Sequence, residues 1–78
     1  MQWQAVRTQY PLQWLVIEVL EADTEGHQRK ILDLAVLAVC GDDFWKAWRH
    51  YQTLHKADAF REYLVVSTLP EELVVGMI

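Results

Sequence analysis

The chain has 78 residues, 53% of them hydrophobic, with eleven acidic and seven basic side chains and a formal net charge of −4. This length corresponds to one domain, and the apolar content excludes an intrinsically disordered chain. The net negative charge argues against non-specific nucleic-acid binding, so we expect no nucleic-acid partner. Nothing in the composition indicates a chemical activity.

The sequence features that report on location favour the cytoplasm. Residues 1–7 (MQWQAVR) lack the basic start and long apolar run of a secretory signal. The longest apolar runs, residues 15–17 and 34–40, are far shorter than the roughly 20 residues that span a bilayer. The chain has one cysteine, Cys40, which is typical of a reducing compartment. We therefore expect a cytoplasmic protein with no membrane partner.

The first half of the chain predicts a β-hairpin. Residues 3–10 have apolar side chains three and four apart, which fits one or two helical turns before Pro11. Residues 12–20 (LQWLVIEVL) predict a first strand, because β-branched and aromatic residues dominate them. The polar residues 21–29 predict a turn. Residues 30–40 (KILDLAVLAVC) predict a second, antiparallel strand, although their Leu and Ala content also fits a helix.

The second half predicts a helix and a third strand. Asp42 and Asp43 suit a helix N-terminus, and residues 44–56 repeat with a period of 3.6. Residues 60–67 (FREYLVVS) predict a strand. Residues 68–71 have the Ser/Thr-x-x-Glu form of a capping box and predict a short helical turn through Leu73. Whether residues 74–78 form a strand stays open.

These elements predict one α+β domain over residues 1–78 with the order β-β-α-β. The three-stranded sheet is mixed or antiparallel, depending on which strand borders the third; antiparallel neighbours are commoner, which favours the order 2-1-3. One helix packs on one face, and a short helical turn ends the fold. The strands are apolar on both faces, so the uncovered face requires a partner, and a homodimer is the simplest.

Several short segments resemble a set of short bacterial proteins of uncharacterised function. The resemblance is carried by Tyr10-Pro11 and Trp14 at the start of the first strand and by Pro70-Glu71-Glu72-Leu73 near the end. It covers most of the chain and implies a small bacterial α+β protein. It supplies no catalytic residues, and the apolar end of this chain departs from it.

Two carboxylates inside apolar strands are the candidates for acid–base chemistry. Paired strands could bring Glu18 and Asp33 together with a raised pKa, as a general acid requires. The alternative is that each faces solvent or contacts Arg61 or Lys30. If the protein is an enzyme or a ligand-binding domain, we expect one of these carboxylates in an aromatic-lined pocket.

No metal or cofactor is expected. His50 and His55 are about 140° apart around the helix, so they do not share an ion. Cys40 precedes a helix N-terminus, which can activate a thiol, but two neighbouring aspartates oppose this. A buried, apolar Cys40 is the simpler interpretation.

The remaining candidates are surfaces. Trp14 and Trp48 are predicted in the core and Trp3 and Trp45 at an interface. Four residues form a basic stripe on the helix: Lys46, Arg49, His50 and Lys56. This stripe binds phosphate, binds an acidic partner, or is an ordinary solvated helix face. The predicted interface residues are Trp3, Trp14, Val16, Ala35, Leu37, Val39 and Trp45. We expect a self-associating protein-interaction or accessory module with no evident catalytic site.

Overall fold

The computed structural model describes residues 1–76, and residues 74–76 by their backbone only. These residues form two helices and four strands: α1 (Trp3–Gln9), β1 (Trp14–Glu25), β2 (Gln28–Val39), α2 (Phe44–Ala57), β3 (Tyr63–Ser67) and β4 (Val74–Gly76). The strands form an antiparallel sheet in the order β3-β1-β2-β4. The predicted α+β class is confirmed.

β1 and β2 form a hairpin of two twelve-residue strands. The pairing continues to Glu25 opposite Gln28, so the predicted turn over residues 21–29 was too long. Gly26 has φ 61° and is the first residue of the two-residue loop, which is the glycine position of a type II′ turn. A turn this tight lets polar residues on both sides stay in the strands.

Three leucines interrupt the hairpin's register. Leu20 on β1, and Leu32 and Leu37 on β2, have no paired residue on the other strand of the hairpin. Each is therefore an extra residue of the kind found in a β-bulge. Extra residues of this kind bend a strand and increase its twist. The hairpin therefore curves, and the outer edge of β2 is irregular at Leu37.

Both faces of the sheet carry a helix. Leu15 and Ile17 of β1 pack in one buried cluster with Val6 of α1, while Val16 packs in another with Ala47 of α2. Adjacent strand residues point to opposite faces, so α1 and α2 lie on opposite sides. The prediction of one helix and one uncovered face was wrong, because α1, although short, buries Trp3 and Val6 against the second face.

The segment after β3 is not helical. The Thr68 hydroxyl accepts a 2.9 Å hydrogen bond from the Gln13 N–H, so it does not cap a helix. The segment runs beside α1, where Trp3 Nε1 donates to the Pro70 carbonyl. The predicted C-terminal helical turn was therefore wrong. β4 follows and pairs with residues 28–30 of β2; residues 77–78 of the apolar tail lie outside the described residues.

Candidate functional site

An aromatic row runs along α2. Phe44, Trp48, Tyr51 and His55 are spaced by four, three and four residues, which places them on one stripe of the helix. Consecutive ring centroids are 6.4, 5.2 and 5.7 Å apart and their planes are nearly parallel. Trp14 of β1 meets Phe44 edge-on at 5.0 Å and ties the first ring to the sheet. We call Phe44, Trp48, Tyr51 and His55 the aromatic row.

Part of this row is open to solvent. Trp48 is 39% exposed, whereas Trp3, the first residue of α1, is only 6% exposed. The sequence predicted the reverse, with Trp48 in the core and Trp3 at an interface. Helical periodicity identifies an apolar stripe, but only the packing of α2 against the sheet decides which side chains of that stripe are buried. Ala47 takes the buried centre, which leaves Trp48 on the flank.

The flank that carries the aromatic row borders the beginning of β3. Tyr51 and His55 line a shallow cavity of 290 Å³ together with residues 59–63. Phe60, which belongs to this cavity, has a fully exposed ring. The row and Phe60 therefore form a partly exposed aromatic surface beside this strand. We call it the aromatic surface.

β3 is an edge strand. The Val19 N–H donates to the Glu62 carbonyl and the Thr68 N–H donates to the Gln13 carbonyl. Backbone groups alternate in direction along a strand, so those of Tyr63, Val65 and Ser67 point away from β1. Among residues 1–76, no strand pairs with that outer edge. Free N–H and C=O groups beside exposed aromatic rings can bind an extended strand.

The predicted interface residues are in different environments. Trp3 and Val16 are buried in this chain's own core, so neither is available to a partner. Trp14 and Ala35 are half-buried, and Trp14 packs against the cluster that holds α2 to the sheet. Leu37 is 42%, Val39 41% and Trp45 68% exposed. Sequence analysis did not identify Phe60 or the outer edge of β3. The edge could not be found without knowing the order of the strands in the sheet.

The two candidate carboxylates are not brought together. Glu18 pairs with Ala35 across the hairpin, whereas Asp33 pairs with Glu21. Glu18, whose side chain is 16% exposed, lies 3.4 Å from an Arg61 nitrogen. A contact between Glu18 and Arg61 was the alternative to acid–base chemistry given in the sequence analysis.

Asp33 is held by the N-terminal amine. Its Oδ1 lies 2.6 Å from the Met1 nitrogen and also accepts the Leu34 N–H. The hydrogen bond from the amine, its positive charge and the Leu34 N–H hold the pKa of the Asp33 carboxyl below its ordinary value, against a smaller opposing effect of desolvation. The raised pKa expected of a general acid is therefore not found at Asp33.

A cavity of 680 Å³ lies between the start of α1, β2 and the segment before β4. Its wall includes Trp3 and Asp33 but not Glu18. The remaining wall residues are Gln2, Gln4, Glu21, Lys30, Ile31, Leu32, Glu71, Glu72 and Leu73. The wall thus carries four carboxylates and one lysine, and no cysteine, serine or threonine.

The basic stripe lies on the solvent side of α2. Lys46, Arg49 and His50 are exposed and line an open depression of 310 Å³ with Thr53. Lys56 is exposed one turn further on. No ion pair within residues 1–76 involves the lysines or arginine of the stripe. These are the properties of a solvated helix face.

Three further properties concern metal binding, membrane crossing and the cysteine. In residues 1–76, no three histidine, cysteine, aspartate or glutamate side chains are grouped so that they could hold a metal ion. Neither described helix has the length and apolar character required to cross a bilayer. Cys40 is 5% exposed and forms no disulfide.

Comparison of the chain with protein-family models, with curated proteins and with solved structures finds no match.

Proposed function

We propose that this chain is a small protein-interaction module that self-associates and acts as an accessory subunit. The observation that carries the proposal is the aromatic surface of α2 and Phe60 beside the unpaired edge of β3. Aromatic residues are enriched where proteins meet, because they bury much area at a small cost in side-chain entropy.

The total surface supports association. The chain exposes 5438 Å², while the scaling law for monomers of this mass gives about 4,900 Å². The excess is on the order of 500 Å², which is smaller than the roughly 800 Å² that each partner buries in a standard interface. The fold thus exposes more surface than a monomer of its mass usually does, in keeping with a surface that a partner covers.

A ligand-binding or enzymatic role is the second candidate, and the 680 Å³ cavity is the observation that favours it. Two properties weigh against acid–base catalysis there. Asp33 is ion-paired and its pKa is lowered, and Glu18 is not in the wall. This cavity therefore supports binding of a cationic small molecule better than proton transfer.

Sedimentation velocity over a wide range of protein concentration tests the proposal. We expect the mass to rise from one chain to a closed oligomer as concentration increases. A mass of one chain throughout the micromolar range would contradict self-association. A screen for thermal stabilisation by cationic small molecules then tests the second candidate, with Asp33→Asn as its control variant.

A further inference from the structure

We propose that the occupant of the outer β3 edge is the β3 strand of a second copy, paired antiparallel about a two-fold axis through Val65. This inference rests on the proposed self-association and specifies its surface. It joins two sheets edge to edge into one continuous sheet, with the aromatic surfaces of both chains beside the junction. We call this junction the seam.

The backbone of β3 is suited to such pairing. Tyr63, Val65 and Ser67 direct their N–H and C=O groups outward, and a two-fold axis at Val65 sets Tyr63 opposite Ser67 of the partner chain. All three outward residues then find partners. Any register shift leaves at least one of them unpaired.

The charges next to β3 favour a second copy of this chain. The strand itself (YLVVS) is uncharged. Arg61 before it is already paired with Asp58 at 3.1 Å and with Glu18, and Glu62 is paired with Arg29. Pairing two copies therefore brings no unpartnered charge to the seam, whereas a charged peptide would find no complementary group there.

The part of the β2 edge that β4 leaves uncovered is less suitable. On β2, the Met1 backbone occupies the edge at Leu34, and the extra residue Leu37 breaks its regularity. Irregularities of this kind are how edge strands avoid pairing with other chains.

The seam also explains the aromatic row. An antiparallel edge junction has its two-fold axis perpendicular to the sheet, so both copies of α2 lie on the same face. Each row is on the flank of α2 that borders β3, where Tyr51 and His55 share a cavity with residues 59–63. The two rows therefore line the seam from both sides. The ring of Trp48, 39% exposed in one chain, gains cover there.

Amide hydrogen exchange at single-residue resolution tests the backbone pairing. The N–H groups of Leu64 and Val66 face β1 within one chain, so they are the internal control. At high concentration we expect the Tyr63 and Val65 amides to exchange as slowly as these. On dilution they should become fast while the controls stay slow.

A matched pair of charge variants tests the aromatic row. Trp48→Glu places a charge at the seam, and we expect the dissociation constant to rise roughly 30-fold or more, as for an interfacial hot spot. Thr53→Glu adds the same charge on the solvent side of α2 and should leave association unchanged. Circular dichroism and thermal unfolding establish that both variants are folded.

The outcomes separate this inference from the proposed function. An oligomer whose Tyr63 and Val65 amides exchange fast, or which tolerates Trp48→Glu, would overturn the seam and leave self-association intact. A single-chain mass at every concentration would overturn both. Slow outer-edge exchange that follows the oligomeric mass supports the seam.

Discussion

Trp3 Nε1 donates a 2.9 Å hydrogen bond to the carbonyl oxygen of Pro70, so the first helix and the segment before the last strand are joined across 67 positions of sequence. Arg7 and Gln4 of the same helix donate to the carbonyls of Thr68 and Glu71. α1 is thus held to the fold both by the buried side chains of Trp3 and Val6 and by hydrogen bonds to backbone carbonyls that lie outside the helices and strands.

Trp3 should therefore contribute strongly to stability. We expect Trp3→Ala to cost roughly 3–5 kcal/mol, which is a large share for a small domain. Trp3→Phe keeps most of the ring and should cost about 1–2 kcal/mol through the lost hydrogen bond. Urea unfolding measures both. Trp45→Ala, at a 68% exposed position, is the control, and an equal loss there would contradict the assignment.

Thr68 should act through its hydroxyl. It is 2% exposed and its Oγ1 accepts the Gln13 N–H at 2.9 Å. Thr68→Val has nearly the same shape but leaves that donor without a partner, so we expect a loss of about 1–3 kcal/mol. Thr68→Ser retains the oxygen and should lose less. If both variants lost the same stability in chemical unfolding, the methyl group rather than the hydrogen bond would be responsible.

Leu12 is strained. It has φ 53° and is 75% exposed, so its side chain gains little packing for an unfavourable backbone conformation. Glycine avoids the left-handed penalty of roughly 1–2 kcal/mol but makes the unfolded chain more flexible. We expect Leu12→Gly to stabilise the fold by about 0.5–1 kcal/mol.

Leu69 provides the comparison for Leu12. It is similarly exposed, at 66%, but its φ is not positive. Leu69→Gly should therefore destabilise slightly, because only the flexibility cost remains. In thermal unfolding, we expect Tm to rise for Leu12→Gly and to fall for Leu69→Gly. A lower Tm for Leu12→Gly would show that no strain is released.

The ion pair of Asp33 predicts a pH dependence. Because its pKa is lower in the folded than in the unfolded chain, Asp33 stabilises the fold above the ordinary aspartate pKa. That contribution is lost as pH falls through the folded-state pKa. We expect Asp33→Asn to be less stable than the parent at neutral pH, with the difference shrinking under acid. A difference independent of pH, measured by urea unfolding, would contradict this origin.

The helix, the hairpin and the class of fold were accessible from sequence because each depends on local periodicity. Residues 44–56 repeat at 3.6, and α2 spans Phe44–Ala57. Asp43 accepts the Lys46 N–H at 3.0 Å, as a cap at that position should. The predicted strand at residues 60–67 contains β3. Local chemistry is sufficient where neighbouring residues satisfy one another.

The end of the chain shows where local chemistry is insufficient. Residues 68–71 carry a capping-box pattern, but the Thr68 hydroxyl binds Gln13, 55 positions away. The backbone N–H of the residue before β1 occupies the hydroxyl that would have capped a helix. Competition of this kind between a local and a distant partner is not visible in the sequence pattern.

By itself, the sequence determined a small acidic α+β domain with an amphipathic helix and strands that are apolar on both faces. Only the tertiary structure decided that α1 covers the second face, that Trp3 is buried while Trp48 is half-exposed, and that β3 rather than β2 has the regular open edge. The physical reason is that periodicity defines which residues share a face. Which face or edge is covered depends on contacts between residues as distant as Trp3 and Pro70.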